Sequence, residues 1–374
     1  MKSSRNAERQ IERADPPCAS TSDRRGGGDG AWARRIAWCC RDWRTLRGRR
    51  TRTGGWLQRA CRPLAVLLCV SLAPIALAQA SDPRSNASPP SSPSGSADAT
   101  LQGTLKKISD SGEIVLGVRA SSAPLSYADA QGNTIGYSQD IALRIVDAIK
   151  IRLHMPDLRV VNLPITSANR MALLGAGRFD LECGSTTHTL EREQTASFSN
   201  NIFLYGIKIA TRRSGSIRDF GDLDGQRVVT TAGTTSETLL RRMLDVYHDN
   251  FDLTTQADHD QSFAALVRGE ADAFVVDEPL LYAERSRTAK PSDYVITGTP
   301  LAFENYACMF RRGDTQFKQL VDETIARLQR SGQAAAIYRK WFEQPVPPNG
   351  NNLRYPMSQE LRELFAHPND RAQH

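Results

Sequence analysis

The sequence predicts an α/β fold of two similar lobes joined by two strands, and three observations carry that prediction. After residue 100, apolar runs of strand length alternate with helical patterns. A turn built on Gly and Asp occurs twice, as Leu173-Leu-Gly-Ala-Gly177-Arg-Phe-Asp180 and as Leu266-Val-Arg-Gly269-Glu-Ala-Asp272; Gly177 and Gly269 stand 92 positions apart. Two strand-like stretches, Phe203–Thr211 and Tyr294–Phe310, flank the second unit, where they can carry the chain between lobes and back.

The leading segment is a different material from the rest. The whole chain of 374 residues has a formal charge of +7, which read alone suggests an anionic partner such as nucleic acid. Residues 1–80, however, hold 16 Lys and Arg against 6 Asp and Glu, leaving 32 against 35 in residues 81–374. Five of the seven Cys and four of the five Trp also precede Ser81. The basic excess belongs to the leader, and nucleic acid is not an expected partner.

Pro63 to Ala80 carries no charge, and its centre, Leu64-Ala-Val-Leu-Leu-Cys-Val-Ser-Leu-Ala-Pro-Ile-Ala-Leu77, is strongly apolar. Arg59 and Arg62 precede it, and Ala76-Leu-Ala78-Gln-Ala80 follows with small residues at cleavage spacing. This is the pattern of a secretory signal peptide, at about residues 57–80. As a membrane anchor the run is too short and is interrupted by Ser71 and Pro74; as a lipoprotein site it has a bulky Leu before Cys69. Residues 1–56, rich in Arg, Gly and Trp, read either as a basic arm or as sequence upstream of the true start. Residues 81–100 contain seven Ser and four Pro and are expected to be a disordered linker. Beyond Thr100 no apolar run is long enough for a membrane span, so the mature protein is expected to be soluble and exported.

In the body, Ile114–Val118 reads as a buried strand, followed by a helix capped by Ser138 with Ile141, Ile145 and Ile149 on one face. Strands at Leu158–Leu163 and Phe179–Cys183 enclose a short helix at Arg170–Leu174. This βαβαβ order implies a mostly parallel sheet covered on both faces. The second unit repeats it: strand Arg227–Thr231, helix Ser236–Tyr247 with Leu239, Leu240, Met243 and Leu244 inward, strand Phe251–Thr255, helix Gln261–Arg268 and strand Ala271–Val276. Helices at Thr315–Gln329 and Gln333–Trp341 return to the first lobe. The expected domains are 101–207 with 298–374, and 208–297, enclosing a cleft suited to a small ligand.

The six His and seven Cys show no metal-ligand spacing, and no P-loop, dinucleotide fingerprint or nucleophile elbow is present. No metal, cofactor or catalytic residue is expected. The informative groups are cations at element ends, where α/β sheets bind ligands. Arg119 ends the first strand, Arg170 opens a helix after Thr166-Ser167, and Arg192 follows Gly184-Ser-Thr-Thr187. Guanidinium groups recognise carboxylates through paired, charge-assisted hydrogen bonds.

Five motifs in order give a resemblance: Arg119-Ala-Ser-Ser-Ala-Pro-Leu-Ser-Tyr127, Gly136-Tyr-Ser-Gln-Asp140, Pro164-Ile-Thr-Ser-Ala-Asn-Arg170, Phe179-Asp-Leu-Glu-Cys-Gly-Ser-Thr-Thr187 and Gly233-Thr-Thr-Ser-Glu237. With Lys340-Trp-Phe342 and Phe365-Ala-His-Pro-Asn-Asp370 they resemble the periplasmic solute-binding proteins of polar amino-acid ABC importers, acidic-ligand branch, over about Leu101 to Asp370. The resemblance implies a type II Venus-flytrap fold with two hinge strands, a periplasmic location, a monomer, and delivery of L-glutamate or L-aspartate to ABC permease subunits at the inner membrane. It assigns Arg192, with Ser185 and Thr187, to the ligand α-carboxylate and Asp277 to its α-ammonium. Arg119, Ser167, Arg170 and His259 would grip the side-chain carboxylate. Thr235, in the Gly233–Ser236 loop, either meets the ligand or, like Ser236, merely caps a helix. His188 is expected to be a bystander. In this fold the strand carrying Cys308 returns beside the strand carrying Cys183, and the exported compartment is oxidising; a disulfide or two buried thiols would both fit. Since the same fold hosts cyclohexadienyl and arogenate dehydratases, an enzyme is the alternative function, with Glu182 or Glu278 as its acid.

Overall fold

The computed structural model describes residues 100–301 and 303–373. The proposed signal peptide, and all of the linker but Thr100, lie outside the described residues. Helix α1 (Gly103–Ser111) leads into β1 (Glu113–Val118), followed by a small sheet of β2 (Ser121–Ser122), β3 (Ser126–Ala128) and β4 (Thr134–Ile135). Helix α2 (Tyr137–Leu153) buries Ile141, Ile145 and Ile149, the stripe that its sequence spacing predicts. Its start differs from expectation. Ser138 is not the cap; it is the second helical residue, and its hydroxyl donates to the Gly184 carbonyl at 2.8 Å. The cap position is Gly136, at φ +138°, where a Cβ would collide with the Leu125 carbonyl. Only glycine permits that approach.

Next come β5 (Arg159–Pro164), α3 (Arg170–Gly175), β6 (Leu181–Glu182) and the single turn α4 (Leu190–Glu193). The strand β7 spans Ala196–Arg212, well beyond the expected Phe203–Thr211. Its first part, Ser197-Phe-Ser-Asn-Asn201, looks too polar for a buried strand, but the polar groups are used. Ser199 Oγ accepts the Cys308 N–H at 2.9 Å where the register slips, and Asn201 binds the chain's tail through Asn369 and Arg371.

The second half holds β8 (Arg227–Thr231), α5 (Thr235–Tyr247), β9 (Asp252–Gln256), α6 (His259–Arg268), β10 (Ala273–Asp277), α7 (Glu278–Arg287) and β11 (Tyr294–Thr297). In α5, Leu240 and Met243 are buried whereas Leu239 and Leu244 are half-buried, so the inward stripe is narrower than expected. The chain returns through β12 (Phe303–Arg311), α8 (Thr315–Arg330), α9 (Gln333–Phe342), the short pair β13 (Pro345–Val346) and β14 (Asn351–Asn352), and α10 (Gln359–Ala366).

The sheet order is β5-β1-β6-β12-β7-β10-β8-β9, with β11 also on β7. Within it β5-β1-β6 and β10-β8-β9 are parallel triplets, while β7 and β12 run antiparallel to their neighbours. Strand β7 pairs with β12 through Ala196–Gly206 and with β10 and β11 through Ile207–Arg212, so one strand belongs to both halves. We call the half around β1 the first lobe and the half around β8 the second. Ile165, Leu174, Phe179, Phe198 and Met309 form a core between α3 and the crossing strands; full burial of each such side chain contributes about 1.5–3 kcal/mol. Cys183 and Cys308 are joined by a disulfide with Cα atoms 4.3 Å apart. It ties the residue after β6 to β12 within the first lobe. Among the described residues, no helix is long and apolar enough to cross a membrane.

Candidate functional site

In both parallel triplets the chemistry-bearing residues lie at or just past the carboxyl ends of the strands. In the first lobe, Arg119 follows β1, Ser167 follows β5, Arg170 is the first residue of α3, and Ser185 and Thr187 follow β6. In the second, Thr235 opens α5 after β8, His259 opens α6 after β9, and Asp277 ends β10. All of these except Thr235, which is half-buried, are buried.

Arg119 is 2% exposed and Arg170 1% exposed, an arrangement that demands compensating partners. Arg119 Nη1 donates to Ser185 Oγ at 3.3 Å, and Ser185 Oγ in turn reaches Ser122 Oγ at 3.2 Å. Arg170 Nη1 donates to Thr186 Oγ1 at 2.8 Å and to the Ser185 carbonyl at 3.3 Å. These bonds use only part of each guanidinium. Arg119 Nη2, Arg170 Nε, Ser167 Oγ and His259 Nε2 are buried without a hydrogen-bond partner.

The electrostatics show that these groups share one neighbourhood. Burial pushes Arg170 down to about 9, helped by the like charges of Arg192 and Arg119; it remains protonated at neutral pH. Burial also lowers Arg119, opposed first by the Glu182 carboxylate. His259, which the resemblance assigns to the side-chain carboxylate, is 1% exposed. Burial, then Arg119 and Arg170, hold its imidazole well below the usual histidine value. It is neutral, with Nδ1 2.9 Å from Thr231 Oγ1; in the tautomer whose Nδ1 accepts from Thr231, Nε2 is a donor.

A second cluster sits beside the first. Arg192 is half-buried; its Nη1 donates to the Thr187 carbonyl at 2.8 Å and its Nη2 to the Gly233 carbonyl at 3.4 Å. Asp277 Oδ2 accepts the Tyr306 hydroxyl at 2.5 Å and Oδ1 accepts Ser236 Oγ at 3.2 Å. Burial and then the nearby Glu304 raise Asp277 from 3.8 to about 7. Thr187 Oγ1 lies 3.3 Å from Thr235 Oγ1, so hydroxyls of the two lobes meet. The cap of α5 is Thr234, whose side chain accepts Glu237 N–H at 3.1 Å. Thr235 and Ser236, offered as caps by the sequence, keep their hydroxyls free for this cluster. Gly233, at φ +75°, lies against the first lobe so closely that a Cβ would come within 2.6 Å of Ala168 Cα and 2.7 Å of its nitrogen.

Sequence reasoning missed the residues of the crossing strands. Glu304 of β12 accepts Tyr205 and Thr235 hydroxyls at 2.6 Å and Thr187 at 3.2 Å, all on Oε2. A lone acid inside an apolar strand, Phe303-Glu-Asn-Tyr-Ala-Cys-Met-Phe310, was its only signal. Thr186 also went unnoticed beside its predicted neighbours. His188 faces away, with Nε2 2.7 Å from Glu193 Oε1 and its ring stacked on Phe198. Glu278, one candidate acid, is engaged by Lys208 Nζ at 2.8 Å and by the Tyr355 hydroxyl at 3.0 Å.

Comparison with known proteins agrees with this architecture. The model of the bacterial extracellular solute-binding proteins, family 3, matches residues 114–344. The glutamate/aspartate import solute-binding protein of Escherichia coli K12 is 46% identical over 269 residues, covering 72% of this chain and 89% of that protein. The L-glutamate/L-aspartate-binding protein of Pseudomonas aeruginosa is 46% identical over 273 residues, covering 73% and 90%. Among solved structures, a mutant of ArgBP from T. maritima superposes with a TM-score of 0.57 at 25% identity, covering 64% of this chain and 99% of that one. The fold is therefore the type II binding-protein fold, and the relatives are binding proteins rather than enzymes.

Proposed function

The chain belongs to the bacterial extracellular solute-binding proteins, family 3, and from that membership we propose that it captures L-glutamate or L-aspartate in the periplasm and presents it to the permease subunits of an ABC importer. The observation that carries the choice of ligand is the set of four buried, unpartnered groups, Arg119 Nη2, Arg170 Nε, Ser167 Oγ and His259 Nε2. A carboxylate has about four lone-pair positions and no donor, which suits that set. A ligand without an anionic side chain would leave the net positive charge of these buried guanidiniums uncompensated. The names of the E. coli and P. aeruginosa relatives support the same choice.

In this reading Arg192, Ser185, Thr187 and Thr235 hold the α-carboxylate and Asp277 the α-ammonium, while Arg119, Ser167, Arg170 and His259 hold the side-chain carboxylate. Lobe 1 comprises 101–207 and 298–374, and lobe 2 comprises 208–297. Binding brings them together about the two strands between, and the contact of Gly233 with Ala168 is the closed form of that movement. The protein acts as a monomer, performs no chemistry on its ligand, and reaches the periplasm by a cleaved signal peptide at 57–80. Each charge-assisted contact contributes about 1.5–3 kcal/mol. Less desolvation and closure costs, several of them reach the roughly 8 kcal/mol of micromolar binding.

Calorimetric titration of the purified protein with L-glutamate, L-aspartate, L-glutamine and L-asparagine tests this. The acidic pair should bind at micromolar concentration or tighter, and at least about tenfold better than the amides. Preference for an amide would sink the reading, and turnover of prephenate or arogenate would replace it with the dehydratase.

A further inference from the structure

One charged group in the pocket has no part in the capture just described. Glu182 ends β6, is fully buried, and lies under the loop that carries Ser185 and Thr187. Its Oε1 occupies the space that a Cβ on residue 184 would fill, and Arg119 Cγ lies 3.3 Å from the same point. Gly184 is thus the residue that lets a carboxylate and an arginine stem share one position. The Glu182 charge acts on both guanidiniums: it is the leading charge opposing the effect of burial on Arg119, and it supports Arg170 as well.

Charge counting gives this arrangement a meaning. Burial raises the Glu182 carboxyl, whose two oxygens have no hydrogen-bond partner, and the Arg170 charge is the first to oppose that rise. Taken as a carboxylate, Glu182 sets one negative charge against the two positive ones of Arg119 and Arg170, and His259 adds none. The side-chain subsite therefore carries one net positive charge, separate from Arg192, Asp277 and Glu304 at the amino-acid end. An uncompensated charge inside a protein is expensive in either sign. Resting on the functional reading above, we propose that Glu182 is a specificity-determining residue: it sets the subsite at one net positive charge, so that the pocket accepts amino acids with a singly anionic side chain and rejects doubly anionic ones. The accepted class is wider than carboxylates. It includes sulfonates and sulfinates of the same reach.

L-Cysteate and L-2-amino-3-phosphonopropionate test this, because they share a tetrahedral anionic head and differ in charge. Near pH 8 the phosphonate has lost its second proton, as a phosphate ester does above about 6. The wild-type protein should bind cysteate. Its affinity for the phosphonate, taken as a ratio to cysteate, should fall at least about tenfold as the phosphonate passes from one charge to two. In Glu182→Gln, glutamate should bind no more weakly than in wild type, and the phosphonate-to-cysteate ratio near pH 8 should rise at least about tenfold. Loss of a packing residue would weaken every ligand alike, so an equal loss with an unchanged ratio overturns the proposal. The wild-type ratio decides alone if the variant does not fold. Refusal of cysteate or of the singly charged phosphonate by a protein that takes glutamate also overturns it. Failure of the wild type to bind any acidic amino acid refutes the functional reading instead.

Discussion

In the first lobe the parallel strands run β5-β1-β6; in the second they run β9-β8-β10. Each triplet puts its first strand in the middle, and each uses an Asp before the third strand to tie it to the first. Asp180 N–H donates to the Val115 carbonyl at 2.8 Å while its Oδ2 accepts the Val115 N–H at 2.8 Å. Asp272 N–H donates to the Arg227 carbonyl at 2.8 Å while its Oδ2 accepts the Arg227 N–H at 3.1 Å. Past the strand ends the likeness stops. The first lobe offers Arg119, Arg170 and Arg192; the second offers Asp277 and a neutral His259. The shared frame is scaffold, and the charges grafted on its rims make the site. The proposed ligand, an amino dicarboxylate, carries two anionic ends and one cationic one, so in that reading neither lobe satisfies it alone.

The sharpest way to break this division is to remove the first lobe's cations singly. Arg192→Ala should weaken every amino acid by about 2–5 kcal/mol, the cost of losing one partner of a desolvated charge pair. Arg170→Ala should cost a similar amount for glutamate and far less for glutamine, whose side chain brings no charge. Titration of both variants with both ligands reads the difference. Equal losses for the two ligands in both variants would erase the separation of α-carboxylate and side-chain subsites.

The second lobe's contribution should show as a pH dependence. Asp277 is raised from 3.8 to about 7 by burial and Glu304. In the ligand-free fold, charging this carboxyl is therefore a cost: it is fully felt above about 7 and relieved as pH falls through that value toward 3.8. A ligand ammonium favours the charged form, so binding should release a proton in that window. Affinity should drop by up to about tenfold per pH unit below about 7, with heats that depend on the buffer's ionisation enthalpy. Asp277→Asn should lose this dependence together with about tenfold or more in affinity. A variant that keeps the same pH profile would assign the titration elsewhere.

How much of this was legible beforehand follows from where each residue sits. The triplets were readable because runs such as Ile114–Val118 and Arg227–Thr231 are short, apolar and bounded by turns. The cations were readable because Arg119, Arg170 and Arg192 fall beside strand ends in recognisable motifs. Residues with tertiary partners were not. Ser197–Asn201 looks like a loop until the register slip and the tail that use its hydroxyls and amides are known. Ser138 fits a cap by local rule, yet the Gly184 carbonyl claims it. His259 stands in a polar run, Ala257-Asp-His-Asp260, and nothing near it in sequence reveals its burial beside Arg119 and Arg170. Glu182 and Glu304 are single acids in buried strands, and only the groups around them give those charges a purpose.

The smallest expected effect tests the scaffold itself. Asp180 and Asp272 make the same backbone exchange, but Asp180 has 10% of its side chain exposed and Asp272 has 34%. Asp180→Ala would strand a partly buried Val115 N–H and lose the bond to Lys107 Nζ at 2.6 Å, a loss of about 1–3 kcal/mol. Asp272→Ala loses an exchange that water can largely replace, together with an exposed pairing to Arg227, and should cost about 1 kcal/mol. Denaturant melts of the ligand-free protein measure both. Glutamate affinity should stay within about twofold of wild type in each, because neither carboxylate is among the groups proposed to meet the ligand. If the Asp272 variant lost binding as well as stability, the repeated turn would belong to the site, and the separation of frame from chemistry would fail in the second lobe.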